Sequence, residues 1–114
     1  MNFDEYQAEA RKTAVYEVAT ADGTKLTLLY PALGLAGETG EVCEKIKKLF
    51  RDKGGIQTPE FKEALTLELG DVLWYLANLA CDAGIKMADV ADANIRKLHS
   101  RRERNMIKGD GDNR

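Results

Sequence analysis

One segment limits the fold more than any other. Between Thr58-Pro59 and Gly84, apolar residues recur at Phe61, Leu65, Leu69, Val72, Leu76 and Leu79. That spacing lines them along one face of a helix turning about every 3.6 residues. A helix this long carries a stripe it cannot bury alone, so it must pack against other helices. Its start is well marked: Thr58 reads as the N-cap, Pro59 as the first helical residue and Glu60 as a first-turn acid. The helix should run to about Asp82 and stop at Gly84.

The remaining chain divides in the same way. A first helix is expected from about Phe3 to Val15, with Phe3, Tyr6, Ala10 and Ala14 at helical spacing. In Tyr16 to Tyr30, β-favouring residues flank Asp22-Gly23, a turn signal that predicts a short hairpin or an ordered loop. Pro31 suits the first turn of a second helix reaching about Phe50 or Arg51, before Gly54-Gly55 breaks the chain. A fourth helix spans roughly Met87 to Arg104, and Gly109 to Arg114 reads as a loose polar tail. The expected architecture is all-α, a bundle of about four helices in a single domain over residues 1–114.

Composition removes several classes of function. With 44% hydrophobic and 32% charged residues the chain should be globular rather than disordered. Its apolar stretches fall well short of the roughly 20 residues that span a membrane. No export signal opens it, so Cys43 and Cys81, which form no CxxC pair, are expected as reduced thiols in the cytoplasm. A net charge of −2, and no basic helix with base-reading residues, argue against a nucleic-acid partner.

The chemistry concentrates on two helices. In the second, Leu35, Val42, Ile46 and Leu49 form the apolar stripe, with Glu38 at its edge and Glu41 and Lys45 one step further round. Gly37 and Gly40 each weaken that helix by about 1 kcal/mol relative to alanine, which suggests that a helix or ligand approaches its backbone. In the third, Glu68 lies at the stripe's margin with Asp71 beside it and Tyr75 on the same edge. Residues three apart are neighbours on a helix, so each helix presents a carboxylate pair. A short connection favours antiparallel packing, which lets the pairs face each other. Four carboxylates together repel strongly, and a divalent cation relieves that repulsion. Oxygen-only ligation by Glu38, Glu41, Glu68 and Asp71 indicates Mg²⁺, or Mn²⁺ in its place, rather than zinc. The single histidine, His99, falls on the far side of the fourth helix. Asn94, Lys97 and Arg101 share one face of that helix and are placed to bind phosphate oxygens.

Residues 34–42, Gly-Leu-Ala-Gly-Glu-Thr-Gly-Glu-Val, followed by residues 68–75, Glu-Leu-Gly-Asp-Val-Leu-Trp-Tyr, resemble the MazG-type nucleotide pyrophosphohydrolases of the all-α NTP pyrophosphatase superfamily. Asn94, Lys97 and Arg101 match that family's later Asn-x-x-Lys and downstream Arg. One position departs from the pattern: Gly37 stands where the family's tandem glutamates begin, which leaves the number of bound ions open.

The resemblance implies hydrolysis of a nucleoside triphosphate, a dNTP or a non-standard nucleotide, to the monophosphate and pyrophosphate. It also implies assembly as a homodimer or homotetramer. On that reading Lys97 and Arg101 balance phosphate charge, and Tyr75 and Asn94 donate hydrogen bonds to phosphate or sugar. The attacking water gives its proton to Glu38, whose place nearest the apolar stripe should raise its pKa, with Glu41 as the alternative base. Two other functions fit the same residues: phosphoribosyl-ATP pyrophosphohydrolysis, and a non-catalytic helical module binding a structural ion.

Overall fold

The long third segment forms as its sequence demands. In the computed structural model, which describes residues 1–17 and 20–114, it is α3 (Pro59–Asp82), preceded by α1 (Phe3–Lys12) and α2 (Leu29–Lys53) and followed by α4 (Met87–Glu103). The Thr58 hydroxyl accepts from the Phe61 N–H at 3.1 Å, capping the helix that Pro59 opens. At the other end Gly84, at φ 71°, reverses the chain, and the Ile85 N–H returns to the Ala80 carbonyl at 2.8 Å. Among the described residues no strand forms, and the fold is all-α.

α3 is the central helix, packing against α2 along one seam and against α1 along another. The best-buried hydrophobic cluster lies on the second seam, where Ala10, Ala77, Ala80 and Met87 are backed by Tyr6, Leu73, Trp74 and Leu76. Gln7 ties that seam together. Its amide donates to the carbonyls of Ala77 (3.2 Å) and Ile85 (2.9 Å) and accepts from the Met87 N–H (3.1 Å). A single α1 side chain thus links α3 with the start of α4.

Three boundaries differ from expectation. α1 ends at Lys12 rather than Val15, because the Thr13 hydroxyl donates to the Ala10 carbonyl at 2.8 Å and accepts from the Trp74 indole N–H at 2.7 Å. α2 starts two residues before Pro31, which is fully buried in its first turn, and continues to Lys53. The tail is not loose. Arg114 donates to the carbonyls of Met106, Ile107 and Gly111, and Asp112 receives Lys97 and Arg101, so residues 106–114 fold back on the end of α4.

The segment between α1 and α2 keeps the turn, and Lys25 beyond it takes part in an isolated bridge. The Thr20 N–H donates to the Thr24 carbonyl at 2.8 Å around Asp22-Gly23, with Gly23 at φ 88°, while residues 18 and 19 lie outside the described part. Asp22 accepts from the Thr20 hydroxyl and from the Thr24 N–H at 3.0 Å, and these bonds hold its carboxyl down at about 2. Because this pKa is depressed, the turn has the full contribution above the ordinary 3.8 and loses it as pH falls through about 2. The Thr24 amide resonance should therefore titrate with the low midpoint. A midpoint near the ordinary aspartate value would show that the turn does not hold.

The molecule is drawn out, 49 × 42 × 30 Å with a radius of gyration of 17.5 Å. A chain of this length packed as one globule would have a radius near 13 Å, about a quarter smaller. The cause is that α4 touches α1 and α3 only, and among the described residues makes no contact with α2.

Candidate metal and nucleotide site

The α2–α3 seam brings three of the four expected carboxylates together. Glu38, Glu68 and Asp71 each present an oxygen, and these oxygens lie within 4.8 Å of one another. Antiparallel packing sets Glu38 of α2 beside the Glu68–Asp71 pair of α3. Glu41 is exposed and stands outside the trio, although its charge still bears on Glu38.

Electrostatics at this seam bear on Glu38. The Glu38 carboxyl is pushed above the ordinary glutamate value, first by partial desolvation and then by the charges of Asp71, Glu68 and Glu41. A raised value means that this group's contribution to stability is complete below pH 4.5 and is lost as pH rises through the folded-state pKa. A bound cation would remove that penalty. Three oxygen donors without nitrogen or sulfur suit a hard ion such as Mg²⁺ or Mn²⁺. Oxygens on opposite sides of Mg²⁺ stand roughly 4.2 Å apart, so small side-chain movements close the trio onto such an ion.

Tyr75 borders the trio one turn beyond Asp71. Its ring lies against the backbone of α2 at Gly34, where an added Cβ would land inside the ring. Gly34 is therefore the glycine of α2 that permits close approach. Above Gly37 and Gly40 the space is open within this chain, so no helix of its own explains them. Burial raises the Tyr75 phenol first, followed by the neighbouring Tyr30 hydroxyl and the charges of Glu38 and Asp71. Its proton is thus retained at neutral pH and available to donate. Tyr30 stacks on Tyr16 at 4.8 Å, and Trp74 meets Tyr75 edge-on at 5.0 Å. A cavity of about 290 Å³ opens between Tyr16, Tyr30, Trp74 and Thr13. Tyr16 is held by Asp82, which accepts from it at 2.8 Å and from Arg11 at 2.7 Å.

The α4 residues are placed differently from expectation. Asn94 is exposed, and Lys97 reaches Asp112 at 3.4 Å. Arg101 is buried and donates to the Asp112 carbonyl at 2.7 Å. With no α4–α2 contact among the described residues, this chain does not set its own α4 cations against the trio. Instead Lys45 sets a cation beside the trio, its ammonium 3.2 Å from Glu68. The signal for it was in the sequence. Lys45 follows Glu38 by seven residues, two turns along one face. His99 is exposed, as its position predicted.

Comparison with known proteins bears on the same segment. A family model described as "MazG nucleotide pyrophosphohydrolase domain" matches residues 26–106, which include α2, α3, α4 and every carboxylate of the trio. The chain is 44% identical to "Gene 37 protein" of Mycobacterium phage L5 over 114 residues, with both chains fully covered. No solved structure matches. With a family model spanning most of its length, the chain belongs to the MazG nucleotide pyrophosphohydrolase domain family.

Proposed function

We propose that the protein hydrolyses nucleoside triphosphates, dNTPs or non-standard nucleotides, to the monophosphate and pyrophosphate in a Mg²⁺-dependent reaction. The carboxylate trio on the α2–α3 seam, within the span matched by the family, carries this reading. Bound there, Mg²⁺ or Mn²⁺ would supply Lewis-acid polarisation and charge neutralisation at the phosphates. Glu38, Glu68 and Asp71 would hold it.

The reacting water bonds to the α-phosphorus while the bond from that phosphorus to the α–β bridging oxygen breaks, and pyrophosphate leaves. Glu38, the α2 carboxylate of the trio, takes the water's proton. Glu41, more exposed and outside the trio, is the poorer base. Tyr75, with its proton retained, donates to a phosphate or sugar oxygen, and the aromatic cavity beside it faces the base.

Purified protein with Mg²⁺ and a panel of NTPs, dNTPs and phosphoribosyl-ATP tests the reaction. Pyrophosphate should appear in step with the monophosphate. Orthophosphate with a diphosphate would overturn the reading, and turnover confined to phosphoribosyl-ATP would reassign the substrate. Ion binding without turnover of any nucleotide would leave a structural module.

The protein should act as a homodimer or homotetramer. Its accessible surface of 8375 Å² exceeds the roughly 6,200 Å² usual for a monomer of this mass. The excess is of the order that a stable interface removes. Leu67, Leu69, Val90, Ile95 and Leu98 are among the apolar side chains left exposed. Such an assembly would offer the exposed Asn94 and Lys97 a carboxylate trio on a second copy. Sedimentation should give at least twice the 12.7 kDa chain mass. A monomer at tens of micromolar would remove this part of the proposal. Among the described residues no helix is long and apolar enough to cross a membrane. Free Cys43 and Cys81 suit the reducing cytoplasm, where we place the protein.

A further inference from the structure

The Lys45–Glu68 pair gives the site a direction. Lys45 lies two turns beyond Glu38 on α2, about 10 Å along the axis, and its side chain returns to Glu68. With α3 antiparallel, Glu68 is one turn nearer the α2–α3 connection than Asp71. Lys45 therefore meets the trio from the connection side. Tyr75 meets it from the opposite side, one turn beyond Asp71 and packed at Gly34, one turn before Glu38. Along the seam the order is aromatic cluster, three carboxylates, ammonium. The ion pair is only partly covered, with side-chain exposures of 33% for Lys45 and 22% for Glu68, so a ligand has access to it.

We propose that this order is the order of a bound nucleotide: base and sugar at the Tyr75 end, α-phosphate at the trio, and the departing pyrophosphate at Lys45. The inference rests on the reading of the site as a triphosphate hydrolase. Lys45 is then the counter-ion of Glu68 before a ligand binds, and it exchanges Glu68 for pyrophosphate oxygens when a divalent cation takes over the carboxylates. The charges support the exchange. Three carboxylates with one ammonium leave −2, and three carboxylates with a divalent ion leave −1, so Glu68 no longer needs the lysine. A lysine suits the task because its ammonium is a point charge on a flexible four-carbon stem, able to change partners without moving the helix. The α4 cations do not compete for this role within the chain, since they face Asp112.

The test uses binding, so it is read whether or not turnover is found. Wild type, Lys45→Met and Lys45→Arg are compared by calorimetry with Mn²⁺ alone. They are then compared, in saturating Mn²⁺, with inorganic pyrophosphate and with each of the four deoxynucleoside monophosphates. Melting curves confirm that each variant is folded. Lys45→Met should bind Mn²⁺ several-fold tighter than wild type, because Glu68 is freed. It should bind pyrophosphate at least tenfold more weakly, with monophosphate affinity changed less than threefold. Lys45→Arg should restore most of the pyrophosphate affinity. Loss of monophosphate rather than pyrophosphate binding would reverse the direction and overturn the proposal. Unchanged pyrophosphate and Mn²⁺ affinities would overturn it as well. If the wild-type protein releases no pyrophosphate from any triphosphate, the parent reading fails separately, and these affinities still decide whether Lys45 exchanges partners.

Discussion

Glu38→Gln should lower pyrophosphate release from the preferred triphosphate by roughly 10³-fold or more while leaving a folded protein. The substitution keeps the shape of the side chain and removes its charge, so a ligand and a proton acceptor disappear together. Stability should move the other way. Glu38 is the carboxyl whose pKa is raised by desolvation and by its acidic neighbours, and in the metal-free protein its ionisation opposes folding. The metal-free variant should therefore melt no lower than wild type at neutral pH, and added Mn²⁺ should stabilise it less than it stabilises wild type. Glu41→Gln is the control. Its carboxylate is exposed and outside the trio, so its activity should fall by about tenfold or less. Equal losses in the two variants, measured as the rate of pyrophosphate release, would return Glu41 to the role of base.

Met87→Ala should produce the largest loss of stability from a single truncation. Met87 is only 3% exposed and fills the cluster formed with Ala10, Ala77 and Ala80. The other buried residues of the cluster are alanines, which cannot swing into the space it leaves. A cavity at such a position costs about 2–4 kcal/mol. For a domain of this size each kilocalorie corresponds to about 4–8 °C in melting temperature, so a fall of roughly 10–25 °C is expected. Thermal unfolding followed by circular dichroism would check it. A fall under about 3 °C would mean that α4 is not anchored through this side chain.

How much of this could be read from the sequence depends on what each signal reports. The ends of α3 were legible because Thr58-Pro59 and Gly84 act locally, through one cap and one left-handed residue. The end of α1 was not. Thr13 stops it by sharing its hydroxyl with Trp74, a partner 61 residues away that no local pattern reveals. The carboxylates were legible as pairs, since helical spacing fixes which residues share a face. The trio was not, because side-chain reach across the α2–α3 seam decided that Glu41 stays out. The same limit explains Asn94, Lys97 and Arg101. Periodicity put them on one face of α4 but could not say where α4 points, nor that Asp112 would fold back upon Lys97 and Arg101. Glycine signals were least specific. Three glycines sit within seven residues of α2, and Gly34, not Gly37 or Gly40, is where a ring approaches the backbone.

The two seams of α3 have a consequence for how such a protein can change over generations. The buried cluster uses the side of α3 that faces α1 and α4, and the carboxylates and Tyr75 use the side that faces α2. Apart from Trp74, which backs the cluster and also lines the aromatic cavity, variation on one side therefore meets little resistance from the other. Other residues around the cavity can drift while the alanine seam keeps the chain folded. Losses on the alanine seam should lower the amount of folded protein without altering what each folded molecule does. Natural relatives should accordingly differ most along the α2-facing rim, and a designer seeking a new substrate should begin there.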